Sequence, residues 1–305
     1  MHFSKHQTFY IRDGWLYKGL QQVYQNPAIF LMDEAPQIFG LGVNMVESLR
    51  FWMQACGLTK EYKAGNKRWQ ELTNFGDFVL SYDPYQELDG TLWLLHYHLV
   101  CSHDQATSWY WFFNHYVPIN FNRHEFVERL DYWITTQQSD NKQQKKSERS
   151  LESDFTCLVK TYLPRSNRTS PEDSMESPLA GLGLVQLITK EEENTNATAY
   201  PYRLNAGSVK SIHPLIFLYV LLRRQEVERP EATQLSLNAA LRDPMNVGRV
   251  FNIGMSAFEE LLLILEDSYP EWRVTLTRTG GLDQLTLPTV GTQTILRTFY
   301  EDQTF

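Results

Sequence analysis

Residues 33–56 constrain the fold more than any other stretch of this chain. Asp33 to Phe39 leads into Gly40-Leu41-Gly42, and two glycines so close together allow a sharp turn. From Val43 to Cys56, the residues Met45, Leu49, Trp52, Met53 and Cys56 recur at helical spacing and share one side of a 3.6-residue helix. Asn44, Glu47, Arg50, Phe51 and Gln54 are left on the other side. A short helix, a glycine-bracketed turn and a longer amphipathic helix with a polar, arginine-bearing face fit a helix-turn-helix whose second helix enters a DNA major groove. An ordinary helical hairpin fits the same pattern.

The following residues favour the first alternative. Thr59 to Ala64 and Arg68 to Thr73 read as two short strands joined by Gly65-Asn66-Lys67, a turn in which Gly and Asn supply positive φ. Such a hairpin is a wing, and Lys63, Lys67 and Arg68 place positive charge at its tip for phosphate contacts. Upstream, Asp13 to Gln25 reads as a helix with Trp15, Leu16, Leu20 and Val23 inward and Lys18 outward. The expected DNA contacts are Lys18, Asn44, Arg50, Lys63, Lys67 and Arg68.

At 305 residues, 42% of them hydrophobic and 13% aromatic, the chain has material for two or three cores. A net charge of −8 argues against indiscriminate coating of nucleic acid, but the charge is uneven. Residues 1–75 carry +2 and 141–170 carry +4, whereas 76–140 carry −7 and 211–305 carry −4. Three scattered cysteines, Cys56, Cys101 and Cys157, make no CxxC pair, which suits a reducing cytoplasm. No secretory signal opens the chain, and the most apolar run, Pro214 to Leu222, is too short to span a bilayer. The absence of GxxxxGK[ST], HExxH and GxSxG argues against ATP hydrolysis, zinc proteolysis and serine esterase chemistry.

The remainder divides by composition. From Asp77 the chain is acidic and aromatic, with buried segments at Thr91–Val100 and Ser108–Asn114 and an amphipathic helix at Arg123–Thr135. Gln137–Ser150 reads as an exposed linker, Leu151–Tyr162 as a helix, and 164–177 and 191–198 as loops. The last third repeats the first architecture: an apolar helix at Ile212–Arg224, a short one at Ser236–Leu241, a helix opened by the capping box Ser256-Ala257-Phe258-Glu259, and a hairpin around Arg278-Thr279-Gly280-Gly281. Its long helix has an acidic face of Glu259, Glu260, Glu266 and Asp267, which repels phosphate, so this part is expected to bind protein or to pack, with Arg278 at the hairpin tip as its one candidate DNA contact. The predicted fold is mainly α (α+β). Two winged-helix-like domains, 1–82 and 211–305, flank a helical, aromatic-rich middle region, 83–210, with its linker near 137–150.

Candidate chemistry is sparse. His6, with Thr8 and Arg12 nearby, has the residue types for proton transfer beside a phosphate-binding guanidinium, and a core histidine is the alternative. Asn114-His115 and Asn122-Arg123-His124 contain the residue types of a His-Asn-His finger at unsuitable spacing. His96 and His98 sit in an apolar run that suits core histidines. Asp154, Glu172, Asp173 and Glu176 are acids near the basic linker; the first three are the candidates to hold Mg²⁺, and a solvated loop is the alternative.

Several runs together carry a family likeness. Phe3-Ser4-x-His6-x-Thr8-Phe9-x-x-Arg12-x-Gly14-Trp15-Leu16-x-Lys18-Gly19, Leu41-Gly42-Val43-x-Met45-Val46, Thr91-Leu92-Trp93-Leu94-Leu95-His96, Trp109-Tyr110-Trp111-Phe112-Phe113-Asn114, Glu172-Asp173-Ser174 and Pro178-Leu179 stand in order along the chain. They resemble an uncharacterised-domain family of DNA phosphorothioation operons, whose best understood type is the SspB-like nickase subunit. The resemblance implies a Mg²⁺-dependent DNA-nicking component of a bacterial anti-phage modification system. Its implied partners are double-stranded DNA and a cysteine desulfurase, an ATPase and a sulfurtransferase, and it points to His6, Thr8 and Arg12 and to Met45 and Val46. A noncatalytic winged-helix adaptor or regulator that recruits modification enzymes is the second reading.

Overall fold

The computed structural model describes residues 1–65, 67–137, 147–164, 176–188, 200–278, 280 and 282–303. They form helices joined by three small antiparallel sheets, an α+β arrangement. Their buried apolar side chains make one continuous cluster running from Tyr10 to Tyr300.

The N-terminal unit consists of α1 (Trp15–Gln25), α2 (Ala35–Phe39), α3 (Val43–Ala55), β1 (Thr59–Ala64) and β2 (Lys67–Leu72). Helix α2 stops at Gly40, whose φ of 64° is the left-handed conformation that glycine adopts without a Cβ penalty. Helix α3 then buries Leu49, Trp52 and Met53 against α1 and β1. Phe51, expected on the outer face, is also buried, because residues 1–9 fold over that side of the helix. The hairpin pairs in register from Thr59↔Leu72 to Ala64↔Lys67, so Lys67, expected in the turn, instead opens the second strand.

The middle of the chain is built around α5 (Asp89–Cys101), which follows α4 (Asn74–Tyr82). Leu92, Trp93, Leu94, Leu95, Leu99 and Val100 leave α5 no polar stripe, so it is interior. It contacts α6 (Thr107–Trp111) and the 3₁₀ turn Pro178–Leu182. A π turn, Phe112–Tyr116, continues α6. Helices α7 (Arg123–Gln137) and α8 (Glu148–Tyr162) pack on one another and are longer than expected. This region also contains a sheet that the sequence reading lacks. Its strands β3 (Asn120–Phe121), β4 (Val185–Leu187) and β5 (Tyr202–Leu204) are too short to show alternation and are ordered β3-β5-β4. Most of the expected linker and the loop over 191–198 lie outside the described residues.

The C-terminal third runs α9 (Pro214–Glu228), β6 (Gln234–Ser236), α10 (Leu237–Arg242), α11 (Val247–Val250), α12 (Met255–Ser268), β7 (Thr275–Thr277) and β8 (Gln284–Thr286). Strand β6 is absent from the sequence reading and joins the hairpin in the order β6-β8-β7. The expected capping box does not form: α12 begins earlier than that box requires, with Gly254 as its N-cap and no side-chain cap. A last helix, α13 (Thr292–Asp302), packs back on α9 and α4.

Candidate functional site

The backbone of residues 4–8 is unusual. Ser4, Gln7 and Thr8 all have positive φ, at 55°, 50° and 67°, where non-glycine residues are held only by compensating contacts. Asp154 on α8 supplies several of them. It is 2% exposed and accepts from Ser4 N at 2.8 Å, His6 Nε2 at 2.8 Å and Ser108 Oγ at 2.5 Å. Phe9 completes the anchor, since its carbonyl accepts from Trp52 Nε1 at 3.1 Å, Ser48 Oγ at 3.3 Å and Cys157 Sγ at 3.5 Å.

His6 is thereby turned inward. It is 1% exposed, edge-on to Phe51 and Trp109 with ring centroids 6.1 and 5.7 Å away. Burial opposes its charge, but Cys157 and the Asp154 carboxylate outweigh that penalty and raise its pKa to about 10. His6 and Asp154 are therefore a buried ion pair. Arg12 lies elsewhere, half-buried, with its guanidinium 5.7, 5.5 and 5.6 Å from the ring centroids of Phe9, Tyr10 and Trp15. The two expected catalytic residues thus share no open surface. Glu172 and Asp173 lie outside the described residues.

What the inward turn of His6 does is point its neighbours outward. Lys5 and Gln7 line a cleft of about 440 Å³ together with Glu47, Arg50 and Gln54 of α3 and Glu61 and Arg68 of the hairpin. Gln7 Nε2 donates to Glu47 Oε2 at 2.7 Å. Arg50 Nε and Gln54 Nε2 each donate to Glu61 Oε1 at 3.0 Å, and Arg68 Nη1 lies 3.7 Å from Glu61 Oε2. Among the expected DNA contacts, Arg50 and Arg68 line this cleft. Lys63 and Lys67 stand exposed at the end of the same hairpin, and Asn44 is exposed on the first turn of α3. Lys18 is exposed too, but its Nζ donates to Phe39 O at 3.2 Å and so satisfies a carbonyl at the end of α2.

Lys5, Gln7 and Glu61 line this cleft without being among the expected contacts, and Glu47 and Gln54 are expected only on the polar face of the helix. The helical spacing of Glu47, Arg50 and Gln54 is a usable signal, whereas nothing local places Lys5 or Gln7 opposite them.

The other histidine candidates resolve locally. His96 Nε2 donates to Val250 O and its Nδ1 accepts from Tyr162 Oη, both at 2.8 Å, and burial lowers its pKa to about 4. His98, stacked on Phe75 at 4.9 Å, is lowered to about 3, again chiefly by burial. Asn114 is buried and donates to Val100 O and Tyr110 O. Among the described residues no three His, Cys, Asp or Glu side chains converge as a metal site, and no helix is long and apolar enough to cross a membrane.

Comparison with known proteins agrees with this architecture. The pattern of the DUF4007 family, described as a protein of unknown function, matches residues 3–300. The crystal structure of SspB with a magnesium ion bound superposes with a TM-score of 0.83 at 27% identity, over 99% of this chain and 87% of that one. A second SspB crystal structure gives a TM-score of 0.83 at 28% identity, with the same coverage. No curated protein matches the sequence.

Proposed function

Because the chain belongs to the DUF4007 family and is SspB-like in fold over nearly its whole length, we propose that it is the DNA-engaging subunit of a phosphorothioation system. In this reading residues 1–82 are a winged-helix domain: α3 is the recognition helix and the β1–β2 hairpin is the wing. Residues 83–210 are the supporting middle region, and 211–305 form a second winged-helix-like unit that faces protein. The partners are duplex DNA and the sulfur-handling and ATP-dependent proteins of the same system, in the cytoplasm.

One observation carries the reading. Lys5, Arg50 and Arg68 line a single cleft beside the exposed Lys63 and Lys67, five basic groups against Glu47 and Glu61 of the same cleft, on a protein of net charge −8. The test is fluorescence anisotropy with a labelled duplex across a range of salt. Affinity that falls steeply with salt supports the reading, and no binding at low salt removes it.

Mg²⁺-dependent nicking is the second reading, favoured by the magnesium ion in the SspB crystal structure. Mg²⁺ is usually held by one or two carboxylates, with water and substrate phosphate completing its shell. The described residues do not fit such a centre: both Asp154 oxygens are occupied and buried, Glu47 is bonded to Gln7, and Glu61 to Arg50. Supercoiled plasmid with Mg²⁺, set against the same mixture with EDTA, tests nicking directly. Relaxation only in the Mg²⁺ arm would favour the nickase over the adaptor.

A further inference from the structure

Glu61 is where the donors of the cleft converge. Four donor groups from three side chains meet one carboxylate: Arg50 contributes Nε at 3.0 Å and its closely apposed Nη2, Gln54 contributes Nε2 at 3.0 Å, and Arg68 approaches the second oxygen at 3.7 Å. Glu61 and Arg50 are 22% and 27% exposed, so the group is partly desolvated yet open to the cleft. A guanidinium fork binds a carboxylate and a phosphodiester by the same bidentate geometry. Lys5 lines the same cleft from the N-terminal loop.

We propose that Arg50, Gln54 and Arg68 form a subsite for one backbone phosphodiester of DNA, and that Glu61 holds this subsite as a built-in competitor until DNA displaces it. The proposal rests on the DNA-binding reading above and names its principal phosphate contact. Charge in the cleft makes the competition effective. Lys5, Arg50 and Arg68 face Glu47 and Glu61, a balance of one positive charge, and displacement of Glu61 from the fork raises the charge presented to the phosphate. A purely structural bridge from α3 to the hairpin predicts the opposite behaviour, because weakening it would loosen the wing and lower DNA affinity.

The experiment compares the full-length protein with Glu61→Gln, Arg50→Gln and the double variant, using anisotropy with one labelled duplex and a salt series. Glu61→Gln keeps an acceptor oxygen for the hairpin but removes the competing charge. It should bind about tenfold tighter, a gain in line with charge-assisted hydrogen bonds. Its salt dependence should steepen by about 0.9 in logarithmic slope for each additional phosphate engaged. The gain should vanish in the double variant. Unchanged or weaker binding by Glu61→Gln overturns the subsite. If Lys63→Gln/Lys67→Gln, which lies outside the subsite, still weakens the parent in that case, the DNA reading survives, and if neither parent nor variants bind duplex, both fail. A measurement on the unaltered protein covers misfolding of the variants: the Arg50 Nε–H resonance, assigned by its loss in Arg50→Lys, should shift on adding the duplex. A resonance that stays put while others move also overturns the subsite.

Discussion

His6→Ala should destabilise the protein before it affects any chemistry. The substitution removes the imidazole from between Phe51 and Trp109 and takes from Asp154 its charged partner, in a place where both side chains are at most 2% exposed. Ser4 N and Ser108 Oγ remain on the carboxylate, but neither carries charge. Removing one member of a buried ion pair typically costs about 3–5 kcal/mol. With an unfolding entropy of about 2.1 cal/mol/K per residue over 305 residues, or roughly 0.64 kcal/mol per kelvin, this lowers Tm by about 5–8 °C. Calorimetry at pH 6 measures the drop, and DNA affinity is read below the melting range.

The pH dependence of that difference has a definite sign. His6 is raised to about 10 from 6.5, so it holds its proton more tightly folded than unfolded. Its stabilisation is complete below about pH 6.5 and is lost as pH rises through about 10. The gap in Tm between parent and variant should accordingly be widest near pH 6 and narrow toward pH 10. A variant that melts with the parent at pH 6 would refute the structural role. If that variant also lost plasmid nicking while keeping DNA affinity, proton transfer by His6 would take its place.

Replacing Lys67 and Arg68 together with Gln should weaken duplex binding for all sequences alike and flatten the salt slope by about 0.9 for each phosphate that is no longer neutralised. Equal anisotropy titrations for parent and variant would exclude the wing. Trp52→Ala should destabilise by about 3–5 kcal/mol, since the indole is fully buried, edge-on to Trp109 at 5.5 Å and bonded to Phe9 O. Chemical denaturation checks this, and a variant as stable as the parent would mean that α3 is rotated. Gly57→Ala should cost about 2 kcal/mol or more, because φ is +73° and the new Cβ would lie 2.5 Å from His98 Cγ. A Tm equal to that of the parent would contradict the close approach of Gly57 to His98.

What can be read in the sequence is local and periodic. Leu49, Trp52, Met53 and Cys56 are buried as their spacing requires, and the hairpin forms where its glycine-led turn implies, with Lys67 in the strand rather than in the turn. What cannot be read depends on contacts made far along the chain. Phe51 belongs to the polar face by spacing, yet residue 6 from one side and residue 109 from the other cover it. Asp154 resembles a metal ligand when taken with the basic linker beside it. Its partners are 46, 148 and 150 residues away, and no window on the sequence contains them. The polar types at Ser4 and His6 likewise make sense only once Asp154 is placed beneath them.

The two ends of the protein use one device to different effect. In both, a helix is followed by an antiparallel hairpin and ion pairs tie the two together, with the acid on the hairpin at the first, where Arg50 of α3 and Arg68 of β2 meet Glu61, and the acids on the helix at the second, where Arg273 meets Glu266 and Arg278 meets Glu259. At the first end two arginines share one carboxylate, and Lys5 adds a further positive charge to the cleft. At the second each arginine has its own, and Glu260 and Asp267 add negative charge on the same helix. On the proposed reading, phosphate at the first end would compete with Glu61 for two guanidinium groups beside Lys5 and Glu47, while at the second it would meet neutralised pairs and further like charge. On the DNA-binding reading, a duplex would be drawn to α3 and its hairpin and repelled from α12, so that the acidic helix would face away from the DNA.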